Sequence, residues 1–116
     1  MNKLYTLITT LMLGTAINAQ LAITEFIVNP NNSDTDREWI ELYNYSRSPV
    51  NLRDWKIRNS DASKEIIIST SDFFVPSGDY VILAKNKTVF EAEWLGGNTN
   101  AKVISYNSAS FTLLNT

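Results

Sequence analysis

The segment Glu38–Asn44, with the sequence EWIELYN, alternates its side chains with a period of two. Successive side chains of a β-strand point to opposite faces, so Ile40 and Leu42 share one face. The other face, extended to residue 45, carries larger or more polar side chains: Trp39, Glu41, Tyr43 and Tyr45. The sequence therefore predicts a strand over residues 38–45 that places Ile40 and Leu42 in a core.

Other short β-prone segments follow at intervals typical of a sandwich. They are residues 21–28, a kinked strand over 50–57, its hairpin partner 65–68, and residues 80–84, 102–106 and 111–114. The consecutive isoleucines Ile66–Ile68 indicate burial on both sides. With 38–45 this gives about seven strands spaced at roughly 8 to 12 residues, which favours an all-β sandwich.

Turn-forming residues separate these segments. Residues 29–34 are dense in Asn, Pro, Ser and Asp and predict a loop. The segment Pro76–Asp79 predicts a turn with Pro76 at its second position and a positive φ at Gly78. Residues 88–94 predict one helical turn that Gly96 ends, and we expect it to be too short to form a second layer.

Three segments carry a family resemblance: EWIELYN at 38–44, VNLRDW at 50–55 and FVPSGDYVIL at 74–83. In this order they resemble the lamin tail domain, found at the end of nuclear lamins and in many secreted bacterial proteins. The resemblance runs from about Ile23 to Thr116 and is closest to the secreted bacterial type. It implies an immunoglobulin-like β-sandwich that serves structural or surface contact rather than turnover.

The C-terminal segment departs from the family pattern. In the family, the segment resembling SFTLLNT at 110–116 is followed by a glycine-containing turn and closing strands, whereas this sequence stops at Thr116. The resemblance therefore implies a sandwich truncated at its C-terminus. Missing strands would leave backbone groups unpaired along a sheet edge.

The first 19 residues have the pattern of a cleaved signal peptide. Lys3 precedes a mostly apolar stretch over 4–17, and Ala19 supplies the small residue that signal peptidase requires. A membrane span needs about 20 predominantly apolar residues, more than this stretch offers. The sequence predicts cleavage after Ala19 and a secreted or cell-surface domain over residues 20–116, with no membrane span remaining. Because the chain lacks cysteine, the lipid-modified form of export, which needs a cysteine just after the cleavage site, is excluded.

Catalysis is disfavoured by composition. The chain has no His and no Cys, which removes the commonest general base and the thiol nucleophile. Glu38 and Glu41 are three residues apart, so on a strand they point to opposite faces and cannot easily form a catalytic pair. We expect a protein that is not an enzyme and has no cofactor.

Calcium binding is the alternative that the acidic residues allow. Asp34, Asp36 and Glu38 alternate before the second strand, and Glu25 could approach them from the first. An EF-hand loop counted from Asp34 would need glycine at 39 and glutamate at 45, which are Trp and Tyr here. A solvated acidic loop is the preferred interpretation.

Nucleic acid is an unlikely partner. Five cationic side chains cluster between residues 47 and 64: Arg47, Arg53, Lys56, Arg58 and Lys64. However, residues 20–116 carry a net charge of about −3 and are predicted to be exported. Exposed loop charge explains the cluster better.

The aromatic face of the 38–45 strand allows a second interpretation. Trp39, Tyr43 and Tyr45 could form a sugar-binding strip or pack inside the fold, and packing is favoured. Asn31, Asn44 and Asn86 also begin Asn-x-Ser/Thr sequons, which are frequent by chance.

The sequence thus predicts a secreted, non-catalytic β-sandwich module for structural, protein or surface interaction, as an accessory part of a larger extracellular protein. Its partner is an unknown protein or cell-surface component. The alternative is an extracellular ligand-binding domain for glycan or calcium.

The implied truncation has a measurable consequence. We expect residues 20–116 alone to unfold at low temperature or without a cooperative transition, or to pair with another chain, because a sheet edge is left open. Differential scanning calorimetry combined with size-exclusion chromatography tests this expectation. A sharp transition from a monomer would contradict it.

Overall fold

The computed structural model describes residues 20–28, 36–60 and 64–106, together with Phe111 and Leu113. The strands are β1 Leu21–Ile27, β2 Trp39–Asn44, β3 Val50–Asn51, β4 Lys56–Arg58, β5 Glu65–Ile67, β6 Phe74–Val75, β7 Tyr80–Ala84 and β8 Val103–Ser105, and one helix, α1, spans Lys87–Trp94. The predicted signal peptide and the loop over 29–34 lie outside the described residues.

The main sheet has the strand order β1-β2-β7-β8. β1, β2 and β7 are antiparallel neighbours, with Leu42 of β2 opposite Ile23 on one side and Val81 on the other. β8 runs parallel to β7, and α1 makes the crossover between them. A parallel neighbour requires such a crossover, because a tight hairpin can join only antiparallel strands.

A second layer covers one face of this sheet, which we call the inner face. It consists of two antiparallel pairs, β3 with β6 and β4 with β5. The core between the layers contains Ile40, Leu42, Val81 and Leu83 from the sheet and Val50, Leu52, Ile68 and Val75 from the second layer. The predicted core face of β2 is confirmed, and the two layers form an immunoglobulin-like β-sandwich.

The opposite side of the main sheet, the outer face, is partly covered by α1. The Asn86 side chain caps the helix by accepting from the N–H of Val89 at 3.3 Å. At the other end, Gly97 has φ of 82° and donates its N–H to the carbonyl oxygen of Glu91 at 2.8 Å. A second buried cluster forms beneath the helix, made of Trp39, Ile82, Ala84, Phe90 and Val103. The helix is as short as expected, and it nevertheless buries these side chains on the outer face.

The predicted kinked strand 50–57 consists of two strands, β3 and β4. Asp54 lies between them with φ of 61°, a conformation that non-glycine residues seldom adopt, and it redirects the chain. The hairpin of β4 with β5 is confirmed, with Ile57 opposite Ile66. Burial on both sides is wrong for Ile67, which is 47% exposed because it points away from the core between the layers.

The Pro76–Asp79 turn is confirmed with one change. The N–H of Asp79 donates to the carbonyl of Pro76 at 3.2 Å, so proline is the first residue of the turn rather than the second. Gly78 is the third residue and has φ of 75°, the positive value that type II geometry requires. The two residues before the turn form β6. A strand this short has no alternating pattern by which the sequence could reveal it.

The predicted strand over 111–114 is described only at Phe111 and Leu113, neither of which lies in a strand. Phe111 is buried and meets the ring of Tyr106 edge to face at 5.7 Å. Leu113 and Tyr106 also pack against the core between the layers. Phe111 and Leu113 therefore complete the core from the C-terminal side of the chain.

The side chain of Asn44, at the end of β2, is fully buried and links the two layers. Its amide nitrogen donates to the carbonyl oxygens of Ser48 at 2.9 Å and Val75 at 2.8 Å. Its amide oxygen accepts from the N–H and the hydroxyl of Ser46 at 2.9 and 2.7 Å. Its backbone N–H and C=O both bond the turn before β7. Every donor and acceptor of this buried residue is thus satisfied.

Replacing this amide should be costly. We expect Asn44→Ala to lower the free energy of unfolding by about 2–4 kcal/mol, because two backbone carbonyls lose their donor, one of them deep between the layers. Urea denaturation of the full chain measures the change. Asn98→Ala is the matched control: Asn98 is exposed, and among the described residues its side chain only accepts from the N–H of Asn100, so a loss below about 1 kcal/mol is expected. Equal losses in both variants would contradict the role of Asn44.

Candidate functional site

A cleft of about 620 Å³ opens on the outer face, beside α1. We call it the outer cleft. Its walls contain Glu25, Trp39, Glu41, Asp79, Tyr80, Ile82, Phe90, Trp94, Leu95, Asn100, Ala101 and Lys102. Trp39, Ile82 and Ala84 are buried beneath the helix, whereas Glu25 and Tyr80, farther along the sheet, are exposed. The cleft therefore lies where the helix no longer covers the outer face.

The register of the main sheet sets two carboxylates side by side in this cleft. Glu25 of β1 lies directly opposite Glu41 of β2, and Ile82 of β7 lies on the far side of Glu41. A β-bulge at Thr24 produces this pairing, and the Thr24 hydroxyl donates to Oε1 of Glu41 at 2.8 Å. Glu25 is exposed and has no hydrogen-bond or ion-pair partner among the described residues. Like charges opposite one another destabilise a strand pair, so this arrangement favours a ligand that donates hydrogen bonds.

Aromatic rings form the wall on the helix side. Trp39 is 4% exposed and meets the rings of Phe90 and Trp94 edge to face, at centroid distances of 5.4 and 5.3 Å. Its indole N–H is buried and has no acceptor among the described residues. Trp94, by contrast, is 51% exposed. The helix thus presents one flat apolar ring to solvent at the mouth of the cleft.

The opposite rim is formed by residues at the start of β7. The ring of Tyr80 lies 4.7 Å from that of Tyr43 and is 47% exposed. Asp79 forms an ion pair with Lys102 and accepts from the N–H of Tyr80 at 2.9 Å. The Lys102 hydrogen bond and then this backbone bond hold the pKa of Asp79 below its usual value. The carboxylate is therefore charged at neutral pH and fixes the position of the rim.

Glu38 belongs to a different place in the fold. It is 1% exposed on the inner face, where its Oε2 accepts from the Tyr106 hydroxyl at 3.2 Å and from the Leu113 N–H at 3.1 Å. Its other oxygen, Oε1, is buried without a hydrogen-bond partner. The carboxylate therefore anchors the C-terminal segment to the start of β2.

The structure does not gather the acidic residues considered for calcium. Glu25 is exposed on the outer face, Glu38 is buried on the inner face, and Asp36 is exposed before the start of β2. Asp34 lies outside the described residues. Within the described ranges, no three acidic side chains come close enough to hold a metal ion. Calcium binding stays a prediction, without geometric support from Glu25 and Glu38.

The basic residues between 47 and 64 are partly neutralised by neighbours. Arg53 lies 3.7 Å from a carboxylate oxygen of Asp54 and 3.6 Å from one of Asp72. Lys56 pairs with Glu65 across the β4–β5 hairpin at 2.5 Å. This local pairing supports the interpretation of the segment as ordinary surface charge.

Two of the three sequon asparagines have structural roles. Asn44 is fully buried in the bonds between the layers, and Asn86 caps α1. Asn31 lies outside the described residues. Attachment of a glycan to Asn44 would require breaking its internal hydrogen bonds.

Several members of the outer cleft are identifiable from the sequence, but their assembly is not. Trp39 lies on the aromatic face of the predicted strand 38–45, and Glu25 is a candidate calcium ligand. The pairing of Glu25 with Glu41 depends on the bulge at Thr24, and the exposure of Trp94 depends on how α1 packs. An alternation of side chains with a period of two reveals neither the bulge nor the packing of the helix.

The comparisons with known proteins agree with this architecture. The family model of the lamin tail domain matches residues 15–116, a range that includes every described strand and the helix. The comparison with curated proteins gives no match, and neither does the comparison with solved structures. With most of its length matched and an immunoglobulin-like sandwich as its fold, the chain belongs to the lamin tail domain family, a family of non-catalytic domains.

Proposed function

We propose that this chain is a secreted interaction module, an accessory part of a larger extracellular protein, that contacts a protein or cell-surface partner through the outer cleft. The observation that carries the proposal is the pair of half-exposed rings, Trp94 and Tyr80, on opposite rims of a cleft that holds an unpaired carboxylate. Exposed aromatic side chains are enriched where proteins bind partners, because they bury large apolar areas.

The same cleft supports a binding role better than a catalytic one. The chain has no His or Cys, so acid–base chemistry would fall to Glu25 and Glu41. Glu41 is held by the Thr24 hydroxyl and Asp79 by Lys102. A non-catalytic role also agrees with the family to which the chain belongs.

Export is supported by the N-terminal sequence pattern. Lys3, the apolar stretch over 4–17 and Ala19 occur in the order that a signal peptide requires. Within the described parts of the chain, no helix combines the length and the apolar character needed to cross a bilayer. We propose that the domain acts outside the cell or at its surface.

Surface contact through the outer cleft can be measured directly. We expect the purified, fluorescently labelled chain to bind intact cells of the producing organism, and Trp94→Ala with Tyr80→Ala to reduce the bound fraction about tenfold. Both rings are half exposed, so the double variant should keep its fold, which circular dichroism verifies. Flow cytometry gives the bound fraction.

The control is Phe74→Ala, since Phe74 is 56% exposed on β6 in the second layer, away from the cleft. It should bind as the unchanged chain does. If Phe74→Ala loses binding and the cleft variant does not, the contact surface lies on the second layer and the proposal is wrong.

Export makes a second prediction. We expect the protein collected outside the cytoplasm to begin at Gln20, as measured by intact mass, and Ala19→Phe to block this processing because signal peptidase requires a small residue there. Wild-type protein processed in parallel is the reference. An exported protein that still begins at Met1 would contradict the predicted cleavage.

A further inference from the structure

We propose that the ligand of the outer cleft is a neutral oligosaccharide. This inference rests on the proposed function, because it names the chemical class that the same cleft recognises. The cleft offers two kinds of surface together: half-exposed aromatic rings and the carboxylate of Glu25, which has no partner among the described residues.

The two rings are spaced for an extended ligand. Tyr80 and Ala84 lie four residues apart on β7, about 13 Å along the strand. Trp94 contacts Trp39, which lies opposite Ala84, so the Trp94 ring marks the far end of this span. A chain of sugar rings can place the apolar C–H face of one ring on Tyr80 and of another on Trp94. Between the two rings lies the row that contains Glu41 and Ile82.

The polar groups of the cleft require a ligand that both donates and accepts hydrogen bonds. The carboxylate of Glu25 has no partner among the described residues, and Glu41 uses one oxygen for Thr24; both carboxylates can only accept. The Lys102 ammonium at the rim carries three donors, one of which bonds Asp79. A hydroxyl group supplies a donor and an acceptor at once, and a sugar carries several at fixed spacing.

The charge of the cleft separates neutral sugars from charged ligands. Three carboxylates line it, Glu25, Glu41 and Asp79, against the single ammonium of Lys102. This excess repels acidic glycans and other anions. A basic peptide would satisfy the carboxylates, but its charged groups would face the Lys102 ammonium at the rim.

The residues that would touch the ligand are held by regular structure. Glu25, Glu41 and Tyr80 lie on paired strands, and Trp94 is the last residue of α1. The ion pair of Asp79 with Lys102 and the ring contact of Tyr80 with Tyr43 fix the rim at the start of β7. Such pre-organisation lowers the entropic cost of binding a flexible sugar chain.

The test uses the purified full chain and defined probes. Hexasaccharides of glucose, mannose and xylose are titrated, with hexagalacturonic acid as the acidic comparison and hexa-arginine as the cationic one. Trp39 and Trp94 line the cleft, so tryptophan fluorescence reports binding, and isothermal titration calorimetry gives the Kd. We expect at least one neutral hexasaccharide to bind and both charged probes to bind at least tenfold more weakly.

Matched variants locate the site. Trp94→Ala and Tyr80→Ala should each weaken sugar binding about tenfold, and Glu25→Gln about threefold. Glu25→Gln removes one of two opposed charges, so its thermal stability should not fall, and loss of binding in this variant cannot come from unfolding. Phe74→Ala should bind as the wild type does.

Three outcomes overturn the inference, and they are distinguishable from failure of the proposed function. Binding of hexa-arginine alone would assign a cationic partner. No sugar binding, together with cell binding that protease treatment of the cells abolishes, would assign a protein partner while the interaction module stands. Sugar binding that Phe74→Ala abolishes and Trp94→Ala leaves intact would place the site elsewhere. Shortening of a bound hexasaccharide would instead overturn the non-catalytic role.

Discussion

The buried amide of Asn44 is the interaction on which the two-layer arrangement depends. Its donors hold the carbonyls of Ser48 and Val75, which belong to the chain entering and leaving the second layer, while its backbone stays in the main sheet and bonds the turn before β7. A hydrophobic core alone does not set the relative position of two short strand pairs, because apolar contacts have little directional preference. Hydrogen bonds inside a low-dielectric core do, and leaving any of them unmade is expensive. In a chain without cysteine, this amide connects the layers in a way that a disulfide often does in small exported domains.

The strand that ends at Asn44 is buried on both faces for different reasons. Toward the inner face, Ile40 and Leu42 pack against the second layer and Glu38 anchors the C-terminal segment. Toward the outer face, Trp39 packs under α1, while Glu41 reaches the open part of the sheet. Residues of EWIELYN thus contribute to contacts on both sides of the main sheet. The sequence pattern of this segment predicts a strand with one core face, whereas in the structure side chains on both faces are packed.

Prediction from the sequence succeeds where one local property decides the structure. Alternation in residues 38–45 suffices to place Ile40 and Leu42 in the core, and a proline and a glycine suffice to place the turn before β7. Prediction fails where the structure depends on contacts between segments that are far apart in the sequence. The burial of Trp39 under a helix depends on the parallel crossover from β7 to β8, and no local pattern encodes that crossover. The opposition of Glu25 and Glu41 depends on a single-residue bulge, which shifts the register without changing the composition. The fold was therefore within reach of sequence reasoning, and the assembly of the cleft was not.

The outer cleft lies beside the part of the outer face that α1 covers. α1 has eight residues, which at about 1.5 Å per residue gives a length near 12 Å. It buries Trp39, Ile82, Ala84 and Val103, whereas Tyr80 is exposed and Glu41 is half-buried. α1 ends at Trp94, so the same sheet keeps a packed part that stabilises the domain and an open part in which Glu25 has no partner among the described residues. A packed region and an open region therefore lie side by side on one surface.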